Sequence, residues 1–222
     1  RSTRALWDPT YVDESWIGPA GPDGGIVRLI PRMREWVNRY YPGTKLAITE
    51  YNWGGMESIS GALAQADVLG IFGREGLDLA TLWGLPEPDQ PGAFAFRLYR
   101  NYDGAGSRFG DVSVRAASSD QGKVAVYAAQ QGATGPLTLM LVNKQNADAT
   151  VTLALANFAA AGPAAAYRYS LAKLDSIVRA ADQSLGSGSF TLPAQSLTLL
   201  VVPAQPPAPP SHWLYLPYAE RR

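Results

Sequence analysis

The sequence has no cysteine and a single histidine, His212, among its 222 residues. The lack of cysteine excludes disulfides, thiol nucleophiles and thiolate metal sites. One histidine cannot build a multi-histidine metal centre. A Ser-His-Asp arrangement would have to use His212, which lies in a C-terminal tail where we expect no catalytic role. Carboxylates, hydroxyls and aromatic side chains therefore remain as the groups that could carry chemistry.

An excess of charge and long apolar runs are also missing. Nineteen Lys and Arg balance nineteen Asp and Glu, so we expect no basic surface for phosphates and no nucleic-acid partner. No apolar run reaches the roughly 18 residues of a membrane span, so no transmembrane segment is expected. The chain begins with neither Met nor the apolar stretch of a signal peptide. We therefore expect it to be part of a longer polypeptide.

The first hundred residues show the alternation of an α/β protein. Apolar spacing predicts one helix over residues 33–40, a second helix capped by Ser58 and a third after Pro91. Two short apolar runs, at residues 45–50 and 77–83, predict buried strands. This order indicates βα units around a parallel sheet. Two such strands cannot form a stable sheet alone, so the remaining strands must come from the N-terminal part of the parent polypeptide or from a companion chain.

A different pattern begins after residue 104. Short apolar runs, several of them alternating with polar residues, predict an antiparallel β-sandwich over residues 111–203 that packs on the preceding part through the helix near Phe94–Tyr99. The predicted strands are residues 112–117, 124–129, 137–142, 151–155, 165–171 and 197–202. The predicted domains are residues 1–104, residues 105–203, and a Pro-rich linker with an aromatic tail over residues 204–222.

Two side chains at predicted strand ends are candidates for a site. Glu50 ends the first strand and is followed by residues 51–55 (YNWGG), which offer aromatic faces, an amide and flexible glycines. Trp83 holds the corresponding position on the second strand, and the carboxyl ends of barrel strands form one rim. Glu50 could be a nucleophile or base, or simply an acid bonded to a loop or an arginine. Trp83 could stack on a sugar or belong to the core.

Several segments resemble glycoside hydrolase family 44. Residues 45–55 are similar to that family's strand-seven motif, and residues 6–12 to its loop after strand six. The segments that carry the resemblance are residues 6–12, 45–55, 61–80, 98–104 and 109–114. The family consists of retaining β-1,4-glucan hydrolases, endoglucanases and xyloglucanases among them.

The resemblance implies a fold and a set of site residues. The fold is multidomain α/β plus all-β: the C-terminal part of a (β/α)8 barrel, strands seven and eight with flanking helices, followed by an antiparallel β-sandwich. Glu50 is implied as the nucleophile. The implied substrate-binding residues are Trp83, Tyr51, Asn52, Trp53 and Trp7. The implied partner is a β-glucan polysaccharide, and the implied location is secreted or cell-surface.

One family feature is missing. The general acid/base of the family lies in an Asn-Glu-Pro motif on strand four, and this sequence has no such motif. A retaining glycosidase needs two carboxyl groups about 5–5.5 Å apart, so the chain alone should be inactive and the acid/base should lie on the missing N-terminal part. The alternative is a non-catalytic polysaccharide-binding or cell-surface display protein. No cofactor or metal ligand set is expected, and bound Ca²⁺ is left open.

Overall fold

The computed structural model describes residues 1–21, 23–185 and 188–206. Most of the predicted linker and tail, with His212, lies outside these ranges. The N-terminal part begins with a 3-10 helix, Ser2–Leu6, and has a second one at Asp23–Gly25. Its other elements are α1 (Ile17–Ala20), α2 (Leu29–Tyr40), β1 (Ala47–Tyr51), α3 (Ile59–Arg74), β2 (Leu79–Leu82) and α4 (Pro91–Arg100). Ser58 caps α3, as predicted, by accepting a hydrogen bond from the Gly61 amide.

The C-terminal part consists of strands. They are β3 (Val112–Val114), β4 (Val124–Gln130), β5 (Leu137–Asn143), β6 (Ala149–Thr152), β7 (Ala164–Ser170), β8 (Lys173–Gln183), β9 (Ser189–Leu192) and β10 (Ser196–Val202). Six of them form an antiparallel sheet in the order β3-β4-β5-β10-β7-β8, and β6 pairs with β9 in a second antiparallel sheet. Strands β1 and β2 pair in parallel. The described chain thus has a mixed α/β fold with three sheets.

Most predicted elements are confirmed, and the differences are local. Strands β8 and β9 were not predicted from the sequence. Strand β3 ends at Val114 and β6 at Thr152, earlier than the predicted ends. The predicted domain boundary at residue 104 falls in the loop between α4 and β3, and one apolar core crosses it. The division into domains stays a prediction.

Helix α3 lies between two sheets. One side packs against Ile48 and Leu82 of the parallel pair, and another against Tyr127 and Met140 of the six-stranded sheet. Eleven of its sixteen residues are buried, which is the pattern of a helix enclosed on nearly all sides. The six-stranded sheet packs on α4 as well, where the Phe94 and Tyr169 rings stack with centroids 4.8 Å apart. Both helices, rather than α4 alone, join the two parts.

The six-stranded sheet is apolar on both faces. Side chains alternate along each strand, so Leu197 and Leu199 face the helices while Leu200 and Val202 face the other way. That second face packs against Leu192 of β9 and its neighbours. The sheet is therefore the middle layer between the helices and the β6–β9 pair. No helix in residues 1–21, 23–185 and 188–206 combines the length and apolarity of a membrane span.

One carboxylate is buried on α3. Asp67 is 1% exposed and accepts hydrogen bonds from Thr3 Oγ1 at 2.6 Å, Tyr127 Oη at 2.7 Å and Lys144 Nζ at 2.7 Å. Burial and the nearby carboxylate raise the pKa of Tyr127 well above its usual range, so its hydroxyl stays protonated and donates. The donors come from the N-terminal 3-10 helix, β4 and the residue after β5. Asp67 thereby fastens three segments to one helix.

Replacing Asp67 should destabilise the fold strongly. In Asp67→Ala the Lys144 ammonium loses its carboxylate partner while it remains mostly buried, and we expect the free energy of unfolding in urea to fall by about 3–5 kcal/mol. The matched control is Asp175→Ala, which breaks the exposed Lys173–Asp175 pair and should leave the urea midpoint nearly unchanged. Equal midpoints for Asp67→Ala and wild type would refute this role.

Replacing either of two glycines on α3 by alanine should change the free energy of unfolding, and the two changes should have opposite signs. A Cβ on Gly70 would overlap the Tyr127 ring, whereas a Cβ on Gly73 meets no atom within 4 Å. We expect Gly70→Ala to lower the free energy of unfolding by about 1–3 kcal/mol through overpacking. Gly73→Ala should raise it by about 0.5–1 kcal/mol, because alanine restricts the unfolded chain and favours helix. Urea titration of both variants measures the difference, and the same sign for both would contradict the packing described.

Candidate active site

The parallel pair β1–β2 brings two strand ends to one edge. Ala47 lies opposite Leu79 and Ile48 opposite Ala80, so the strands begin in register. The register then shifts, and Tyr51 pairs with Leu82. Two residues of β1 therefore stand opposite one of β2, which is a β-bulge. Bulges redirect side chains and are frequent beside active sites.

The bulge determines where Glu50 lies. Thr49 and Glu50 together stand opposite Thr81, and the Thr81 hydroxyl donates a hydrogen bond to the Thr49 carbonyl. Both bulge residues are exposed, while Tyr51 returns to the buried face. Without the extra residue, strict alternation would turn Glu50 toward the buried face with Ile48. The irregularity keeps the carboxylate on the open face.

Trp83 lies on the same side of the pair. It directly follows β2, its side chain is 66% exposed, and its amide donates to the Tyr51 carbonyl at 2.9 Å. The alternating burial of β2 puts Ala80 and Leu82 toward α3 and leaves Thr81 exposed. The structure thus places Glu50 and Trp83 at adjacent carboxyl ends, both on the face turned away from α3.

Asn52 connects the two strand ends. Its Nδ2 donates to the Trp83 carbonyl at 2.6 Å, and its Oδ1 accepts from the Gly54 amide at 2.6 Å. Gly54 and Gly55 have φ of +72° and +62°, a region open to glycine with little strain. The glycines of the YNWGG segment therefore shape the turn that follows Glu50.

Tyr51 faces the core. Its ring meets Phe72 edge-on with centroids 5.1 Å apart, and its hydroxyl accepts from Gln65 Nε2 at 2.9 Å. Burial raises the pKa of Tyr51 above its usual value, against a smaller lowering by the Gln65 hydrogen bond. Tyr51 thus anchors β1 to α3. Gln65 was not singled out from the sequence, although a polar residue on an otherwise apolar helix face signals a buried polar contact.

The two other predicted tryptophans lie at opposite ends of α3. Trp53 is half-buried near the start of α3, and its indole Nε1 donates to Ser2 Oγ at 3.1 Å. Trp7 stacks on the Arg74 guanidinium, 4.1 Å from the ring centroid. Arg74 is the last residue of α3, whereas β1 ends near the start of that helix. The structure does not bring Trp7 to the strand ends.

The acids of the N-terminal loop have separate partners. Although its partial burial alone would raise the pKa of Asp8, hydrogen bonds from Thr10 and Arg4 outweigh that effect and lower it. Asp13 accepts from the Ser15 amide and hydroxyl. In the part of the chain that the structure describes, no three acidic or histidine side chains are grouped so as to hold a metal ion.

Comparison with known proteins identifies the family. No family model matches the chain. It is 43% identical over 145 residues to endoglucanase A of Paenibacillus lautus, a match that covers 65% of this chain and 20% of that protein. Its structure is similar to that of CelM2, a bifunctional glucanase-xylanase from a metagenome library, with a TM-score of 0.83 and 48% identity, over 92% of this chain and 38% of that one. It is also similar to a Paenibacillus polymyxa xyloglucanase from glycoside hydrolase family 44, with a TM-score of 0.80 and 35% identity, over 91% of this chain and 40% of that one.

The chain belongs to glycoside hydrolase family 44. The resemblance in the sequence is thereby confirmed, and the mixed α/β fold is the fold of its family 44 neighbours. The chain spans about two fifths of the solved structures and one fifth of the curated endoglucanase. Family 44 membership thus rests on nearly all of this chain and on a minor part of each relative.

Alanine variants of Trp7 and Trp83 should differ in their free energy of unfolding, because Trp7 packs on the core and Trp83 is exposed. Trp7→Ala removes the ring between Arg74 and the core and should lower the free energy of unfolding by about 3 kcal/mol. Trp83→Ala changes an exposed indole and should alter that free energy by less than about 0.5 kcal/mol. Urea titration of both variants measures the contrast. A larger loss for Trp83→Ala than for Trp7→Ala would contradict the placement of these rings.

Proposed function

We propose that this chain is the C-terminal part of a retaining glycoside hydrolase that cleaves β-1,4-glucan backbones, such as cellulose, xyloglucan or mixed-linkage glucan. The observation that carries the proposal is the exposure of Glu50 and Trp83 on one face at adjacent carboxyl ends of parallel strands. In barrel enzymes the active site lies at that end of the strands. The glucanase and xyloglucanase names of its relatives support the same substrate class.

Glu50 is the nucleophile in this proposal. Its carboxylate attacks the anomeric carbon and forms a glycosyl-enzyme, while a second carboxyl group protonates the departing glycosidic oxygen. That second group then removes a proton from water, which attacks the anomeric carbon, restores the Glu50 carboxylate and gives net retention. Trp83 supplies an apolar face for a glucosyl ring beside the reacting bond. This chemistry uses two carboxyl groups and requires no cofactor.

The acid/base and the other strands belong to polypeptide N-terminal to Arg1. Two exposed surfaces support this. The face of β1–β2 turned away from α3 leaves Leu79 at 52% exposure, and α2 leaves Met33, Trp36 and Tyr40 exposed at helical spacing. Apolar surfaces of this kind are normally covered, and the edges of β1 and β2 need further strands. We assign β1 and β2 to strands seven and eight of a (β/α)8 barrel, and we assign residues 105–203 to the β-sandwich that follows it.

The roles of the neighbouring residues follow from their positions. Trp83 is the substrate-binding aromatic, and Trp53 and the Asn52 loop border the same strand ends. Tyr51 acts through the buried bond to Gln65 that holds β1. The polymeric substrate lies outside cells, so we place the parent enzyme in the secreted or cell-surface fraction.

Removal of Glu50 should abolish hydrolysis by the complete protein that contains this chain. We expect Glu50→Ala and Glu50→Gln to lower kcat on β-glucan by about 10³-fold or more, because the covalent step loses its nucleophile. Azide should restore turnover to Glu50→Ala by attacking the anomeric carbon from the vacated face, with release of an inverted glycosyl azide. Reducing-sugar assays and product NMR measure both results.

The control for the loss of a negative charge is Glu35→Gln. It removes an exposed carboxylate on α2 that pairs with Arg28, and it should retain normal kcat. Near-normal turnover by Glu50→Ala would show that Glu50 is not the nucleophile. The 222-residue chain alone should bind glucan weakly and hydrolyse none, since it supplies one carboxyl of the pair. Hydrolysis by the isolated chain would overturn the division of the site between two parts of the polypeptide.

A further inference from the structure

We propose that Asn52 is a positioning residue, which holds the backbone of Trp83 and through it the indole. The inference rests on the proposed function, because it explains how the substrate-binding ring of that site is held. The family resemblance implied substrate binding by Asn52, which follows Glu50 by two residues. The hydrogen bonds of its amide point to a different role.

Each polar atom of the Asn52 amide already has a protein partner. Oδ1 accepts from the Gly54 amide, and Nδ2 donates to the Trp83 carbonyl, both at 2.6 Å. The first bond closes the turn after β1, and the second crosses to the end of β2. A carboxamide is suited to this bridge because it carries an acceptor and a donor on one carbon. Asn52 therefore couples the loop after Glu50 to the residue that carries the indole.

Among the described residues, Trp83 forms one hydrogen bond besides the one from Asn52. Its amide donates to the Tyr51 carbonyl, its side chain is 66% exposed, and Gly84, which follows, has a φ of +78°. A glycine after the tryptophan lets the backbone turn there with little strain. The backbone of Trp83 is thus held by two hydrogen bonds with residues at the end of β1, and one of them comes from the Asn52 side chain.

Asn52→Asp is the sharpest variant. Aspartate has nearly the same shape and can still accept from Gly54, but it cannot donate to the Trp83 carbonyl and puts a carboxylate against it. The matched control is Asn101→Asp. Asn101 Oδ1 accepts from the Gly106 amide at 2.6 Å in a loop after α4, so this control keeps an equivalent turn bond and lies away from the strand ends.

The first measurement follows the indole without reference to activity. The complete protein is labelled with 5-fluorotryptophan, and the Trp83 resonance is identified by its loss in Trp83→Phe. We expect Asn52→Asp to shift or broaden that resonance while the Trp7 and Trp53 resonances keep their positions. Asn101→Asp should leave all of them unchanged. An unchanged Trp83 resonance in Asn52→Asp overturns the proposal.

The second measurement is kinetic. A misplaced stacking ring weakens substrate binding, so we expect Asn52→Asp to raise KM for soluble β-glucan about tenfold and to change kcat less than threefold. In the Trp83→Ala background the same substitution should cost less than twofold, because the two residues act as one unit. Effects on KM that multiply in the double variant would show that Asn52 acts independently and would overturn the proposal.

The two proposals fail in different ways. An inactive wild-type protein, or a Glu50→Ala variant with normal turnover, contradicts the proposed function, and the fluorine spectra still decide whether Asn52 positions Trp83. An active enzyme with a Glu50-dependent kcat and an unperturbed Trp83 in Asn52→Asp contradicts the positioning role alone.

Discussion

The burial of α3 between two sheets is the constraint on which the rest of the structure depends. A helix enclosed in this way must be apolar around most of its circumference, and any polar group on it must find partners inside the protein. Asp67 meets that condition with three donors from three different segments. Gln65 meets it at Nε2, which donates to the Tyr51 hydroxyl. Both polar residues of the helix interior thus orient elements that pack around it.

The path from α3 to the candidate site is short. Gln65 holds Tyr51, and Tyr51 is the residue at which β1 returns to its regular face after the bulge. The bulge leaves Glu50 exposed, and the Asn52 amide ties the next turn to Trp83. The side chains proposed to meet substrate are therefore held by backbone and by neighbours that do not meet substrate. Such support is what keeps reacting groups in their productive geometry.

Periodicity was enough to predict α2 and α3, which follow the 3.6-residue repeat, and short apolar runs were enough to predict β1 and β2. Strand β8 (KLDSIVRAADQ) was missed because charged and small residues interrupt its alternation, as is common for an edge strand exposed along one side. Their positions at predicted strand ends made Glu50 and Trp83 candidates, and the family resemblance implied their roles. It could not reveal the bulge, since a register shift depends on the partner strand, nor that Trp7 stacks on Arg74 at the far end of α3, since that contact joins residues distant in sequence.

The double burial of α3 also bears on how such proteins could be recombined during evolution. Residue 104 is the natural place to divide the chain by secondary structure, yet α3 contacts Tyr51 before that division and Tyr127 after it. A crossover at residue 104 would join one protein's α3 to another protein's sheet, and the Gly70–Tyr127 contact would have to match by chance. A crossover before the 3-10 helix at Ser2 would transfer α3 with both of its partners. Inheritance of the six-stranded sheet is therefore expected to follow the two βα units that precede it as a block.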